Sequence, residues 1–181
     1  MMQIPPAPGS PDMAPESATG FTEKTVVRTS RAMIATANSL ATDAGYDILQ
    51  QGGSAVDAAI AAQMVLGLTE PQSSGIGGGA LLLLYDGPQV VAFDGRETAP
   101  AAATPDRFLD AHGKPLALRD AVIGGRSVGV PGVLKMLDMA HKQYGKRPWA
   151  TLFQPAIRLA EEGFPISRRI DRKSTRLNSS H

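Results

Sequence analysis

The stretch GGSAVDAAIAAQMVLGLTEPQSSGIGGGALLLLYDGPQVVAFDGRETAP, residues 52–100, decides the fold. Ser54 and Asp57 form a capping-box pattern that begins a helix. The alanine-rich, apolar residues that follow predict that this helix is buried almost all round. A loop rich in glycine, residues 69–79, then leads into two β-strands joined as a hairpin through residues 86–88. Four consecutive leucines in the first strand favour a sheet that is covered on both faces.

Further elements are predicted on either side of this stretch, because helix-capping residues, glycines and prolines mark their ends. They are, from the N-terminus, one or two strands within 25–37, a helix capped by Ser39 and ended by Gly52 and Gly53, a short helix from Thr104 to about Gly113, a helix from Pro131 to Gly145, and two short helices separated by Pro155. Helices and strands therefore both contribute to a layered protein.

Composition narrows the class of protein. The chain has 181 residues, of which 43% are hydrophobic, and this length and content suffice for one ordinary domain with a core. A formal net charge of +1 gives no sign of a nucleic-acid or membrane-surface partner. The chain has no cysteine, which excludes disulfides, thiolate zinc sites and a cysteine nucleophile. No apolar run is long enough for a membrane span.

The two ends of the chain differ in composition from its middle. Residues 1–24 are rich in proline and serine and predict a disordered leader, without the basic start and apolar core of a secretory signal. Residues 171–181, DRKSTRLNSSH, have one leucine among polar and charged residues. That string resembles one reading frame of a sequencing adapter and is predicted to be a non-native tail. Residues 25–170 are then the folded body.

Arg96 is the candidate binding residue. It lies where the second strand of the hairpin ends, and loops that leave a sheet commonly carry sites. Its planar guanidinium can bind a carboxylate through two parallel hydrogen bonds, which a lysine cannot copy. From these residues alone, an ion pair with Glu97 or Asp94, or an interaction with a helix end, is the commoner arrangement. A third interpretation is that Asp94 and Glu97 form a catalytic acid and base pair, as in glycosidases.

Other motifs give weaker signals. The loop SSGIGGG, residues 73–79, follows a helix and precedes a strand, whereas a nucleotide-binding glycine loop follows a strand and opens a helix. These glycines serve either close packing or the shaping of a substrate pocket. The histidines, His112, His141 and His181, lie far apart in the sequence, so neither a metal cluster nor a Ser-His-Asp triad is predicted.

Three motifs in unbroken order, GGSAVDAAIAA, EPQSSGIGGG and DGRETAP, are together highly specific. Through them the sequence from about residue 32 to about residue 167 resembles the γ-glutamyltransferase, or glutathione hydrolase, family. The resemblance implies an α+β class, the N-terminal-nucleophile hydrolase fold, a four-layer αββα sandwich of which this chain is the N-terminal part. It also implies a precursor that cuts itself into a large and a small subunit, with residues 25–170 in the large-subunit region.

The resemblance further implies the activity. Family members transfer the γ-glutamyl group of glutathione and related compounds to water or to amino acid and peptide acceptors, without a metal or organic cofactor. Their nucleophile is a threonine that begins the small subunit and uses its own α-amino group as base. No residue before Ile170 matches it, so this chain alone is expected to be inactive and to need the downstream small-subunit portion as partner. Within DGRETAP the arginine that grips the substrate α-carboxylate falls on Arg96.

Location and competing functions follow from the same resemblance. Family members are usually periplasmic, secreted or surface-anchored, which implies a periplasmic or secreted protein. A related acylase of the same fold, acting on cephalosporin-type amides, is an alternative activity. A binding module without catalysis is an alternative of another class.

Overall fold

The computed structural model describes residues 25–166. The chain divides into two compact units, Met1–Ser30 and Arg31–His181. In the first unit, the described residues 25–30 are exposed and form no helix or strand. The predicted leader, residues 1–24, and the predicted non-native tail, residues 171–181, lie outside the described residues.

The described part of the second unit contains five α-helices, two β-strands and two short 3-10 helices. The α-helices and strands are, in chain order, α1 (Ser39–Gln50), α2 (Ala55–Thr69), β1 (Ala80–Tyr85), β2 (Val90–Gly95), α3 (Leu118–Val122), α4 (Val133–Tyr144) and α5 (Gln154–Glu162). The 3-10 helices are Gly125–Ser127 and Trp149–Phe153. None of the described helices combines the length and apolar character needed to cross a bilayer.

The capping box that begins α2 is confirmed. Asp57 N donates to Ser54 Oγ at 3.1 Å, and Ser54 N donates to Asp57 Oδ2 at 2.8 Å. Nine of the 15 residues of α2 are buried, so the helix lies in the interior as its composition predicts. It is the central element against which α1, α4, α5 and the second 3-10 helix pack.

Helix α1 begins one residue earlier than predicted. Asn38, not Ser39, is the N-cap, because its side chain accepts from Leu40 N at 3.0 Å. Both residue types are good caps, so the sequence alone could not decide between them. Gly45 lets α1 approach α2 closely, since a β-carbon there would lie 3.0 Å from the Ala58 carbonyl oxygen. The predicted helix end is confirmed at Gly52, whose φ of 82° is in the left-handed region.

Two predicted elements are wrong. Residues 25–37 form no strand, although burial alternates along residues 31–37 as it would in one. No described strand pairs with them, since the sheet in residues 25–166 contains β1 and β2 alone. The helix predicted from Thr104 to Gly113 is replaced by turns. There the Asp110 carboxylate accepts from His112 N at 2.8 Å and Lys114 N at 2.9 Å, which competes with helical hydrogen bonds.

The hairpin is confirmed as an antiparallel pair running from Ala80 opposite Gly95 to Tyr85 opposite Val90. Its inner face packs into the core shared by α2 and α4. Its outer face is open in the described part of the chain, where Leu81, Leu83 and Tyr85 are 72%, 76% and 72% exposed. The expectation that both faces are covered is therefore not met by residues 25–166.

The C-terminal helices agree with the sequence. Helix α4 begins at Val133, two residues after the predicted start at Pro131, and ends at Tyr144 with Gly145 as its C-cap. The 3-10 helix Trp149–Phe153 is followed by α5, which has a proline in its first turn. The main core brings together residues from α1, α2, β2, α4 and the second 3-10 helix. Its buried members are Ile48, Val56, Ala58, Ile60, Ala61, Met64, Phe93, Val133, Met136, Leu137, Ala140 and Leu152.

Asp57 joins α2 to the loop that follows α4. Its side chain is fully buried, and Oδ2 accepts from Lys146 N at 2.9 Å and Arg147 N at 3.2 Å in addition to Ser54 N. One carboxylate oxygen thus satisfies three backbone donors from two distant segments. The N-cap residue of α2 and the start of the C-terminal helical pair are held together at this point.

Candidate substrate-binding site

Arg96 lies directly after β2, at the end of the sheet where β1 begins. The Asp94 side chain fixes its backbone, because Oδ1 accepts from Arg96 N at 2.8 Å. The Arg96 side chain is 72% exposed. The backbone is therefore anchored while the guanidinium reaches solvent, which suits a residue that binds a ligand.

Glu97 pairs with Arg96. Arg96 Nη1 lies 2.8 Å from Glu97 Oε2, and the Glu97 side chain is 30% exposed. The short contact lacks hydrogen-bond alignment, so Oε2 is buried without a hydrogen-bond partner. The ion pair that the residues alone favoured does form with Glu97, and it leaves most of the Arg96 side chain accessible. Asp94 binds the backbone N–H of Arg96 instead.

Backbone segments from three parts of the chain meet behind Arg96. We call this place the glycine junction and define it by Gly78, Gly79, Gly95, Gly129 and Gly132. The carbonyl oxygen of Gly78 accepts from Gly132 N at 3.1 Å and from Val133 N at 3.2 Å. The loop before β1 is thereby tied to the first turn of α4, directly against the end of β2.

Side chains have no room at Gly79 and Gly95 of the glycine junction. A β-carbon on Gly79 would lie 2.7 Å from the Gly95 carbonyl oxygen and 2.9 Å from Arg96 Cα. A β-carbon on Gly95 would lie 2.6 Å from the Met136 β-carbon. By contrast, Gly75 and Gly77 have open space around them. Close packing, one of the two roles predicted for the glycine loop, therefore applies to its last residue, Gly79, and not to the residues before it.

Gly79→Ala should destabilise the fold and displace Arg96, because the new methyl group meets backbone atoms that cannot rotate away. We expect a loss of about 1–3 kcal/mol, typical of overpacking at a tight site. Urea unfolding followed by circular dichroism measures it. Gly77→Ala is the matched control, with no atom within 4 Å and no positive φ, and should change stability by less than about 0.5 kcal/mol. Equal stability of the two variants would contradict the packing account.

The segment after Glu97 is held by a short antiparallel bridge. Thr98 N donates to Val130 O at 3.3 Å, and Val130 N donates to Thr98 O at 2.9 Å. Sequence reasoning missed this contact and the role of Gly129 and Gly132. The available signal was the pair of glycines in GVPG, residues 129–132, which was interpreted only as the start of a helix.

The two described histidines, His112 and His141, lie away from Arg96, and His181 lies outside the described residues. His141 Nε2 is 2.8 Å from the Arg147 carbonyl oxygen and 3.6 Å from Asp57 Oδ1, so it belongs to the junction of α2 and α4. His112 is exposed in the turn formed by Asp110. In the described residues, no group of three or more histidine and carboxylate side chains is arranged to hold a metal ion.

Comparison of the sequence identifies related proteins. Residues 41–180 match the family described as Gamma-glutamyltranspeptidase. The chain is 50% identical over 136 residues to the Glutathione hydrolase proenzyme of Bacillus subtilis (strain 168). That alignment covers 74% of this chain and 23% of the relative, so the chain spans about a quarter of the relative's length.

Solved structures resemble the fold. The chain is similar to a γ-glutamyltranspeptidase from Pseudomonas nitroreducens complexed with L-DON, with a TM-score of 0.77 and 32% identity over 82% of this chain and 44% of that one. A cephalosporin acylase from Bacillus halodurans gives a TM-score of 0.71 and 32% identity over 91% of this chain and 32% of that one. The predicted α+β class and N-terminal-nucleophile hydrolase fold are confirmed, with this chain forming part of that fold. The family match and the 50% identical relative show that the chain belongs to the γ-glutamyltranspeptidase family.

Proposed function

We propose that this chain forms the donor-binding part of an enzyme that transfers the γ-glutamyl group of glutathione and related compounds to water or to amino acid and peptide acceptors. The observation that carries the proposal is the exposed Arg96 guanidinium on a backbone fixed by Asp94 and by the glycine junction. A relative named glutathione hydrolase supports the substrate class.

The proposed role of Arg96 is to bind the donor α-carboxylate. A guanidinium has five N–H donors in a plane, and one nitrogen, Nη1, faces Glu97. The remaining donors can form two parallel charge-assisted hydrogen bonds with a carboxylate. The α-carboxylate and the scissile γ-amide stand at opposite ends of the glutamyl group. Fixing one end therefore orients the other toward the nucleophile.

The rest of the chemistry is assigned to the partner portion of the precursor. A threonine at the start of the small subunit attacks the γ-amide carbonyl, and its own α-amino group takes the hydroxyl proton. The amide C–N bond then breaks, the departing amine receives that proton, and a γ-glutamyl ester of the threonine remains. Water or an acceptor amine attacks this ester and releases the threonine hydroxyl. The Bacillus subtilis relative is named a proenzyme, which supports a processed precursor. We propose a periplasmic or secreted location for the whole protein.

Arg96→Lys tests the binding role. The variant is placed in a completed enzyme, made of residues 1–166 of this chain followed by the part of the Bacillus subtilis relative beyond the matched region. We expect the KM for a γ-glutamyl anilide to rise about 10-fold to 100-fold, because a hydrogen bond to a charged group contributes about 1.5–3 kcal/mol. Steady-state kinetics measure this. Arg158→Lys, at an exposed position on α5, is the matched control and should leave the kinetics unchanged.

An unchanged donor KM in a folded, self-cleaved Arg96→Lys enzyme would remove Arg96 from the donor site. The acylase alternative has its own support, since the cephalosporin acylase aligns with 91% of this chain. Comparison of kcat/KM for a γ-glutamyl anilide and for a cephalosporin-type amide decides between the two activities. We expect the γ-glutamyl substrate to be preferred.

A further inference from the structure

Glu97 carries a buried oxygen without a hydrogen bond. Oε2 lies against Arg96 Nη1 at 2.8 Å, yet the described residues offer it no aligned donor. A buried carboxylate oxygen in this state costs stability, since its lost hydration is not replaced. The ion pair with Arg96 offsets little of this cost, because the Arg96 side chain is 72% exposed and a solvent-exposed ion pair contributes little to stability.

The Glu97 side chain lies next to three glycines, Gly78, Gly79 and Gly129. A β-carbon on Gly79 would lie 2.6 Å from Oε2, one on Gly78 would lie 3.5 Å from Oε1, and one on Gly129 would lie 3.1 Å from the Glu97 β-carbon. Gly79 therefore leaves the room that the carboxylate occupies, and Gly129 leaves room for the Glu97 β-carbon, whereas a β-carbon on Gly78 would make only ordinary contact. The hydrogen bonds that Gly78 O accepts from Gly132 N and Val133 N hold together the backbone segments around the Glu97 side chain.

We infer that Glu97 is a positioning residue that holds the Arg96 guanidinium in the orientation that receives the donor carboxylate. The inference rests on the proposed function of Arg96. The 2.8 Å contact between Nη1 and Oε2 holds the end of the long Arg96 side chain against the Glu97 carboxylate. That contact restricts the rotamers of a flexible side chain before the donor arrives, which lowers the entropic cost of binding.

Two effects of the Glu97 charge oppose each other. Its contact with Arg96 orients the guanidinium, whereas its negative charge repels the donor carboxylate. Orientation should dominate, because Arg96 Nη1 stands in direct contact with Oε2 and compensates that charge. The sign of the change in donor KM on removing the charge therefore tests the inference.

Glu97→Gln in the completed enzyme is the test. The amide keeps the shape and removes the charge, so we expect the donor KM to rise about 10-fold, equivalent to about 1.4 kcal/mol, with a smaller change in kcat. The urea unfolding midpoint should stay equal or rise, because a buried charge without a hydrogen bond is lost. Glu161→Gln, exposed on α5, is the matched control and should change neither quantity.

A double variant separates positioning from a general effect on the fold. If Glu97 acts through Arg96, Glu97→Gln should raise the donor KM less than about 2-fold in an enzyme that already carries Arg96→Lys, because residues that share one interaction are not additive. Independent, multiplicative effects would overturn the inference. A lowered KM in the single variant, or a raised KM accompanied by a lowered unfolding midpoint, would overturn it as well.

The same measurements keep this inference apart from the proposed function. An unchanged donor KM in Arg96→Lys would contradict the proposed function, independently of the result for Glu97→Gln. A raised KM in Arg96→Lys together with an unchanged KM in Glu97→Gln leaves the proposed function standing and overturns the positioning role alone.

Discussion

Asp57→Ala is expected to lower the free energy of unfolding of this chain by about 3–5 kcal/mol. The substitution removes the carboxylate oxygen that accepts from Ser54 N, Lys146 N and Arg147 N, and it does so at a fully buried position. Three backbone donors then remain without partners inside the protein. The N-terminus of α2 also loses a negative charge that complements its dipole.

The expected loss is large on the scale of domain stability. Breaking a buried charged network by removing one partner costs about 3–5 kcal/mol. A typical domain has a total free energy of unfolding of about 5–15 kcal/mol. Since the hydrogen bonds of Asp57 connect α2 with the loop before the C-terminal helices, both segments should lose order together rather than fray separately.

Far-UV circular dichroism and urea unfolding of the 181-residue chain measure the effect. Asp57→Asn keeps one acceptor oxygen and should retain a folding transition at a lower urea concentration. Asp43→Ala is the matched control, because Asp43 is exposed on α1 and alanine favours a helix. A cooperative transition in Asp57→Ala close to that of the Asp43→Ala control would show that the buried network does not hold these helices together.

The parts of the fold that could be predicted are those fixed by neighbouring residues. The capping box of Ser54 and Asp57 is a local pattern, and it placed the start of α2 correctly. The hairpin of β1 and β2 was predicted because a short turn separates two apolar runs. At Asn38 the error was one residue, since two adjacent residues can both cap a helix.

The failures have non-local or competing causes. Residues 25–37 have the composition of a strand, but a strand needs a partner, and none is present in residues 25–166. The segment after Thr104 begins like a helix, but the Asp110 side chain captures backbone donors and turns the chain. In both places an intrinsic preference was overridden by interactions that composition does not reveal.

In the candidate site, too, local features were predicted from the sequence and non-local contacts were not. Arg96 was found from a motif, and its placement at the end of β2 followed from the predicted hairpin. The glycine junction was not predicted, because the contact of Gly132 with Gly95 joins two segments that the sequence keeps far apart. The unaligned carboxylate oxygen of Glu97 was also beyond sequence reasoning, since it depends on side-chain geometry.

The second large effect is expected from the 181-residue chain assayed by itself, which should show no γ-glutamyl transfer or hydrolysis. A nucleophile of the proposed kind needs a free α-amino group on the same residue as its base. Thr98 and Thr104 are internal residues, and Thr98 has its backbone engaged with Val130. The matched region of the Bacillus subtilis relative is 23% of that protein, and the proposed nucleophile belongs to the remainder.

Release of aniline from a γ-glutamyl anilide measures this, with the completed enzyme as the positive control. The open outer face of the hairpin, with Leu81, Leu83 and Tyr85 exposed, favours self-association, so the chain is assayed directly after size-exclusion chromatography. Arg96→Lys of the same chain is the negative control for contaminating enzyme. Turnover that survives repeated purification and disappears in Arg96→Lys would place catalysis within these 181 residues and contradict the assignment of the nucleophile to the partner portion. Turnover equal in both chains comes from a contaminant, because a donor site built on Arg96 must respond to its loss.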